Sequence, residues 1–273
     1  MNTSRLRPSP IAGTWYPANP GALAASIDSR LDEAVIPQLD SPIIAVIAPH
    51  AGHRYSGGVA AHAFAALRGL HPALVAVVSP YHNYVPHALL TTAHDAYSTP
   101  LGEIEVDKAA LADLQSQLPI TPIANDPEHS LEIELPFLQR VFTNGFKLLP
   151  IMIHAQEEQV AHQLGEALAA TLQNRNAILV ASTDLSHFYD QKTANSLDRE
   201  MLRCIELLDP PSIFKTEHTG KGFACGHAAV AVVEWAAKRL GANQARILNY
   251  ATSGDVTGDY TSVVGYGAVV ITK

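Results

Sequence analysis

The sequence is poor in several residue types, and each shortage excludes a class of protein. Among its 273 residues are only two cysteines, three methionines and two tryptophans. Acidic residues outnumber basic ones, 26 to 18, which gives a net charge of −8. Because proteins that bind nucleic acid usually present a basic face, we expect no nucleic-acid partner.

Long apolar segments are missing as well. No stretch approaches the roughly 18 apolar residues of a membrane span, so no membrane partner is expected. The opening residues, MNTSRLRPSPIAGTWYP, contain no apolar run of signal-peptide length. We therefore expect a cytoplasmic protein in which Cys204 and Cys225 remain free thiols.

The common catalytic signatures are also absent. The chain has no phosphate-binding loop of the form GxxxxGKS or GxxxxGKT, no GxSxG nucleophile elbow and no HExxH zinc motif. Gly265 and Gly267 lack the third glycine of a dinucleotide-binding loop. Any chemistry must therefore come from residues outside these signatures.

Apolar runs rich in β-branched residues alternate with helical patterns along the chain. Strands are predicted from residue 43 up to Pro49 and over 73–79, 88–92, 146–153, 177–182, 245–250 and 262–271. Helices are predicted over 21–35, from Gly57-Gly58 onward, over 107–118, from Asp126 onward, and over 157–173, 194–208 and 225–240. Pro150 suggests a bulge or a sheet edge, and 97–102 is predicted to be a loop. The alternation indicates one α/β domain with a largely parallel or mixed sheet.

Three predicted strands end in polar loops that carry a histidine. His50 follows the first, His82 the second and His187 the strand at 177–182. Because ligands bind beyond the carboxyl ends of parallel strands, we expect these histidines to converge at one edge of the sheet. Cys225, at a predicted helix start, is placed to join them. Two imidazoles with a thiolate or a carboxylate suit iron, copper or zinc.

Other polar residues are candidates to support this site. Asp184, three residues before His187, is placed to orient an imidazole or to hold a water. On the helix predicted from Asp126, His129 and Glu132 would share a face and support the ligands. A single histidine after a strand is more often an ordinary loop residue, and packing is the alternative role for Cys225.

Taken in order, the motifs resemble the Memo-like family, whose bacterial and archaeal members are often called AmmeMemoRadiSam system protein B. The resemblance rests on PIAGTWYP, IAPHAGHRYSG, SPYHN, STPLGEIEVD, EHSLEIELPFLQ, ASTDLSH and YATSGDVTGDYTSVVGYGAVVI. It implies a fold similar to the class III extradiol dioxygenases. That fold is an α/β/α sandwich around a mostly parallel or mixed sheet, here one domain over residues 1–273.

The resemblance also implies roles for individual residues. His50, His82 and Cys225 match the family's metal pocket of two histidines and a cysteine. His187 matches the acid–base histidine of the dioxygenases, with Asp184 beside it. Fe(II) is the first expectation for the cofactor, with copper or zinc as alternatives.

Substrate contacts are expected from three residues. Trp15 and Tyr55 match aromatic positions that line the family's pocket, and His53 replaces a residue that is often tyrosine. Eukaryotic relatives carry an arginine after the DLSH segment, which the sequence FYDQKTAN lacks. Recognition of a phosphorylated partner through that arginine is therefore not expected here.

Three functions remain open from the sequence. The first is a metal-dependent redox enzyme with dioxygenase-like activity. The second is a non-catalytic module that binds a peptide or a small molecule, and the third is a zinc-dependent hydrolase. The identity of the ligand is open, and the aromatic residues near the N-terminus leave room for a homo-oligomer.

Overall fold

The computed structural model describes residues 5–273, in which strands and helices alternate. The strands are β1 (Leu6–Arg7), β2 (Ile43–Ala48), β3 (Leu74–Pro80), β4 (Leu89–Thr92), β5 (Ala96–Thr99), β6 (Gly102–Glu105), β7 (Thr121–Ile123), β8 (Lys147–Ile153), β9 (Ala177–Ser182), β10 (His187–Tyr189), β11 (Gln244–Thr252) and β12 (Val263–Thr272). The helices are α1 (Pro20–Glu33), α2 (His53–Ala65), α3 (Lys108–Gln117), α4 (Leu135–Val141), α5 (Glu158–Leu172), α6 (Gln191–Glu206), α7 (Pro210–His218), α8 (His227–Arg239) and α9 (Gly254–Thr257).

Most strands of this part of the chain form one nine-stranded sheet. Its order is β10-β12-β2-β9-β3-β8-β4-β7, with β11 paired to β12. The central strands β2, β9, β3 and β8 are parallel. Strand β12 is antiparallel to β2, and β4 is antiparallel to β8, so the sheet is mixed. A second, small sheet of residues 5–273 has the order β1-β5-β6.

Helices cover both faces of the large sheet. Helix α2 connects β2 to β3, whereas α5 connects β8 back to β9, so the chain crosses the sheet in opposite directions. Because such crossovers are right-handed, the two helices lie on opposite faces. Helices α1 and α4 pack with α2, and α8 packs with α5. The predicted α/β/α sandwich is therefore confirmed.

Small residues allow α5 and α8 to approach closely. A Cβ added at Gly165 of α5 would lie 2.7 Å from the Cβ of Trp235 on α8, well inside normal contact. Both helices bury apolar residues in the core that also covers the central strands. Over residues 5–273, no helix has both the length and the apolar character required to cross a bilayer.

Helix α2 begins earlier than the sequence pattern predicted. It starts at His53, with Gly52 as the preceding cap residue, so Gly57-Gly58 lie inside the helix rather than at its start. A Cβ at Gly57 would lie 2.9 Å from Nε of Arg30 on α1, so the side chain of Arg30 would have to move to admit it. Gly57 therefore marks a close helix contact, whereas Gly58 has open space around it, and the pair was wrongly taken for a helix start.

The segment after Asp126 is not the predicted helix. Residues 126–131 form a loop, which continues through a 3-10 turn (Glu132–Glu134) into α4. Asp126 accepts a hydrogen bond from the backbone N–H of Glu128 (3.0 Å), two residues on, and thereby stabilises a local turn. The segment 97–102, predicted to be a loop, is instead part of the β5–β6 hairpin.

Strand β8 lies inside the sheet, so the predicted edge position is wrong. Pro150 is paired opposite Val77 of β3 in a continuous parallel register, without a bulge. On the other side, β4 pairs only with Met152 and Ile153. The carbonyl of Pro150 accepts the hydroxyl of Thr91 at 2.7 Å. The proline is tolerated because the β4 ladder does not extend to it.

Candidate metal centre

A cavity of about 450 Å³ opens at the carboxyl ends of β2, β9 and β3. These strands are neighbours, as the histidine pattern required, so the loops that follow them meet at this edge. The lining residues come from these loops, from the N-terminal loop, from the start of α2 and from the 126–131 loop. They are Thr14, Trp15, His50, Ala51, Gly52, Tyr55, His82, His129, Asp184 and His187.

His50 forms the floor of the cavity. Its side chain is almost fully buried, and its Nδ1 lies 2.9 Å from the hydroxyl of Ser182 at the end of β9. Its Nε2 lies 3.1 Å from Sγ of Cys225. Burial first, and then the neighbouring His129 and His82, hold the pKa of His50 well below its usual value. His50 is therefore a neutral imidazole near pH 7, which is the form that binds metals.

Glu128 connects two more histidines of the cavity. Its Oε1 lies 3.0 Å from Nδ1 of His82 and 3.1 Å from Nδ1 of His129, and its Oε2 accepts the backbone N–H of His82 at 2.6 Å. Burial alone would raise the pKa of Glu128, but the hydrogen bonds of His129 and His82 hold it well below its usual range. Burial alone would lower the pKa of His82. The contact with Glu128 outweighs burial, so the pKa of His82 is raised.

Asp184 organises the backbone around His50. Its Oδ1 accepts the backbone N–H groups of His50 (2.8 Å) and Ala51 (3.2 Å), and its own N–H donates to Sγ of Cys225 (3.3 Å). Burial raises the pKa of Asp184 to about 7, although the two backbone hydrogen bonds act in the opposite direction. Burial, together with the nearby Asp184, also raises the pKa of the Cys225 thiol.

Cys225 is held in place by a close backbone approach. The N–H of Gly226 donates to the hydroxyl of Thr183 at 2.9 Å. A Cβ at Gly226 would lie 2.4 Å from the carbonyl oxygen of Ser182, so only glycine fits there. Helix α8 begins one residue later, at His227. The position of Cys225 beside β9 therefore depends on the glycine that follows it.

His187 lies at the rim of the cavity on β10. Its Nδ1 is 2.7 Å from the carbonyl oxygen of Leu185, and because a carbonyl only accepts, Nδ1 carries the proton. Burial lowers the pKa of His187. The imidazole is therefore neutral near pH 7, and its Nε2 is the basic nitrogen.

Aromatic side chains form one wall of the cavity. The ring of Trp15 lies 4.2 Å from that of His129, which in turn stacks on His82 at 5.0 Å. Tyr55 is partly exposed and also lines the cavity. Trp15 and Tyr55, which the sequence predicted at the site, thus both line the cavity.

Two residues predicted at the site lie elsewhere. His53 is buried beneath the cavity, where its Nε2 donates to the carbonyl of Ile133 (3.1 Å) and its ring packs against Tyr16 and Phe137. It is not among the residues that line the cavity, and its expected substrate contact stays a prediction. Glu132 is fully buried and pairs with Arg7. It does not share a helix face with His129, because the 126–131 segment is a loop.

Arg7 fixes the loop that carries Glu128 and His129. The guanidinium is fully buried, with Nε 2.5 Å from Oδ2 of Asp126 and Nη2 2.5 Å from the carbonyl oxygen of Glu128, and it also pairs with Glu132. Its carbon Cζ lies 4.8 Å from the centre of the Tyr97 ring. The N-terminal strand thereby holds one wall of the cavity from behind.

Two groups of potential ligand atoms result from this arrangement. In the first, His50, His82 and Cys225 each offer one atom, and these atoms lie within 4.8 Å of one another. The second consists of His82, Glu128 and His129. In the second group Nδ1 of both histidines already contacts the Glu128 carboxylate, so we regard it as a hydrogen-bonded support of the first.

The family model described as Memo-like protein matches residues 7–270. The chain belongs to the Memo-like family. A MEMO1 family protein of Nitrosopumilus maritimus is 35% identical, covering 97% of this chain and 98% of that protein. A MEMO1 family protein of Methanopyrus kandleri is 34% identical over 96% and 98% of the two chains.

The fold of this Memo-like chain also occurs in a solved structure. An uncharacterized protein of Escherichia coli K12 aligns with a TM-score of 0.50, covering 83% of this chain and 99% of that one. The sequences are 14% identical, so the likeness concerns the fold alone.

Proposed function

We propose that this Memo-like protein is a metal-dependent redox enzyme in which His50, His82 and Cys225 hold a first-row transition metal. The observation that carries the proposal is the convergence of two imidazoles and a thiol within 4.8 Å at the carboxyl edge of the sheet. These residues come from three separate parts of the chain, and a cavity lies directly beside them.

The spacing of the donor atoms fits such a metal. Bonds of about 2.0 Å to nitrogen and 2.3 Å to sulfur imply separations of roughly 3.3 Å between two nitrogens and roughly 3.5 Å between nitrogen and sulfur in a tetrahedral site. The His50 and Cys225 atoms, 3.1 Å apart, need to separate by only a few tenths of an ångström. Three protein ligands leave a further position for a substrate or for O₂. Fe(II) is our first candidate and copper the alternative for a redox enzyme, whereas zinc, which has no redox chemistry, would fit the hydrolase.

The surrounding residues supply the other functions of the proposed enzyme. His187 accepts a proton at Nε2, since Nδ1 is committed to the Leu185 carbonyl. Asp184 orients His50 through the backbone. Trp15 and Tyr55 contact a small organic ligand. A bound metal would supply a Lewis acid with an open coordination position.

Metal analysis under anaerobic, reducing conditions tests this proposal. We expect near-stoichiometric iron or copper in the purified protein and its loss in His50→Ala and Cys225→Ser. The matched control is Cys204→Ser, which changes a buried thiol hydrogen-bonded to Thr216 and leaves Cys225 intact. Failure of the protein to retain any first-row metal would refute the proposal. Retention of zinc alone would favour a hydrolase instead, and oxygen uptake with a panel of catechols tests dioxygenation.

A second candidate function, a ligand-binding module without catalysis, is favoured by an exposed aromatic residue beside the cavity. Phe188 is 75% exposed, and its ring lies 5.6 Å from that of His187. Its φ of 64° is rare for a bulky residue, and backbone strain of this kind is concentrated at functional sites. Peptide binding that persists in His50→Ala and is lost in Phe188→Ala would support this function over the first.

A further inference from the structure

Ser182, the last residue of β9, lies at the centre of a buried hydrogen-bond network beneath His50. Its Oγ is 2.7 Å from the carbonyl oxygen of Ser130, 2.7 Å from Oε1 of Glu134 and 2.9 Å from Nδ1 of His50. The side chain is completely buried, and Glu134 is 1% exposed. Each of these buried polar atoms must therefore find its hydrogen-bond donor or acceptor within the protein.

One assignment of protons makes each of the three contacts of Ser182 a full two-centre hydrogen bond. A hydroxyl group donates one hydrogen bond and accepts two, whereas a backbone carbonyl can only accept. The hydroxyl hydrogen of Ser182 must therefore point to the Ser130 carbonyl. The other two neighbours must donate to Ser182, so Nδ1 of His50 carries a proton and the carboxyl of Glu134 does too. An ionised Glu134 would place a second bare acceptor 2.7 Å from the hydroxyl oxygen.

The surroundings of Glu134 agree with a neutral acid. Burial raises the pKa of Glu134 well above its usual value, and the nearby Asp184 adds to this effect. A hydrogen bond donated by Ser182 would oppose it, but in the assignment above that hydrogen points to the Ser130 carbonyl. Among residues 5–273 no cation pairs with Glu134, because Arg7 is directed at Asp126 and Glu132. Glu132 is thus paired with a buried guanidinium, whereas Glu134, two residues later, has no cationic partner among the described residues.

We propose that Glu134 is a positioning residue that acts, as a neutral acid, through Ser182 on the tautomer of His50. Glu134 donates to Ser182, and Ser182 accepts Nδ1–H of His50. The lone pair of His50 is thereby fixed on Nε2, the nitrogen that lies 3.1 Å from Sγ of Cys225. The proposal rests on the proposed function only in its consequence, which is that a metal finds an unprotonated Nε2.

The protonation of Glu134 is tested by infrared spectroscopy of the metal-free protein at about pH 8, where ordinary carboxyls are ionised. We expect Glu134→Gln to remove one carbonyl band component of a neutral carboxylic acid, and Glu234→Gln to keep this component and to remove only the separate one that belongs to Glu234. Glu234 is the matched control, because burial also raises its pKa well above the usual value, while it lies on α8, distant in sequence from Ser182 and His50. If Glu134→Gln removes no such band, Glu134 is ionised and the proposal is overturned.

The tautomer is tested on the same metal-free samples by ¹⁵N NMR of histidine-labelled protein, with His50 assigned through His50→Gln. We expect Nδ1 of His50 to be protonated in the parent and in Glu134→Gln, whose amide can still donate. In Glu134→Leu this preference should weaken. A protonated Nε2 in the parent would overturn the proposal. Because neither measurement requires a metal, failure of the metal hypothesis would leave both results interpretable.

Titration with Co²⁺ as the only added metal tests whether the tautomer of His50 affects the metal affinity of the site. Loss of a group that orients a metal-binding histidine typically weakens affinity about 10- to 100-fold. We expect Glu134→Leu to fall in this range, Glu134→Gln to restore affinity to within a few-fold of the parent, and Glu234→Gln to leave it unchanged. Equal Co²⁺ affinity in Glu134→Leu and the parent would count against the positioning role, and a failure of Glu134→Leu to fold leaves the infrared and NMR results to decide.

Discussion

Replacing His53 by glutamine should make the protein more resistant to acid. The imidazole is buried against Tyr16 and Phe137, and its Nε2 donates to the carbonyl of Ile133. Its Nδ1 is buried without a hydrogen-bond partner. A second proton would therefore create a charge with no acceptor, and burial lowers the pKa of His53 to about 4. Glutamine at this position can keep the hydrogen bond to Ile133 without titrating.

The size of the effect follows from the shift in pKa. The folded protein keeps His53 neutral, so the stability that the neutral form contributes is complete above the ordinary value of 6.5 and is lost as the pH falls towards 4. At about 1.36 kcal/mol per pKa unit, the upper limit is roughly 3.4 kcal/mol. Between about pH 7.5 and about pH 4.5 the parent should lose roughly 2.5 kcal/mol through this residue.

Urea unfolding at these two pH values is the assay. The free energy of unfolding of His53→Gln relative to the parent should rise by roughly 2.5 kcal/mol on going from the higher to the lower pH, whatever packing cost the variant has at neutral pH. The matched control is His71→Gln, which removes an exposed imidazole and should keep the parent's pH dependence. Parallel stability losses in His53→Gln and the parent would refute the reasoning.

Three further predictions follow from other contacts. Arg7→Met leaves two buried carboxylates unpaired, so unfolding in urea should show a loss of about 3–5 kcal/mol. In the metal-free protein, Glu128→Gln should lower the pKa of His82, measured by NMR titration, because the contact that raises it loses its charge; an unchanged pKa would contradict this. Gly226→Ala should destabilise the folded protein by about 1–3 kcal/mol or more, because a Cβ there meets the Ser182 carbonyl. Gly58→Ala, at an open helical position, should stabilise the protein by about 0.5–1 kcal/mol. Thermal or urea unfolding measures both.

The central strands were predictable because each carries a strong local signal. The strand predicted over 177–182 agrees with β9 at both ends, and the strand predicted over 73–79 agrees with β3 within a residue. Both are continuous apolar runs, as expected for strands covered on two faces. Their ends place His82 and His187 at one edge, and the sheet order that makes β2, β9 and β3 neighbours brings His50 beside them. The roles of these residues stay predictions.

The support of the site could not be predicted, because it depends on contacts between distant parts of the chain. Asp126-Pro127 has the local pattern of a helix start, yet this segment is bound by Arg7, which lies 119 residues earlier. Glu128 and Glu134 have no local pattern that separates an ionised carboxylate from a neutral acid. The signal that was available is the density of acidic residues in EHSLEIELP, which is unusual for a segment that becomes buried.

The position of β9 has a consequence for how the pocket is assembled. Strand β9 follows β2 and β3 in the sequence but lies between them in the sheet, and it brings Ser182 and Asp184 with it. The contact between His50 and Cys225 spans 175 residues. The N-terminal half of the chain therefore cannot form the pocket during synthesis. A signal from the His50–Cys225 contact would time the insertion of β9, and so report completion of the four parallel central strands rather than of a local motif.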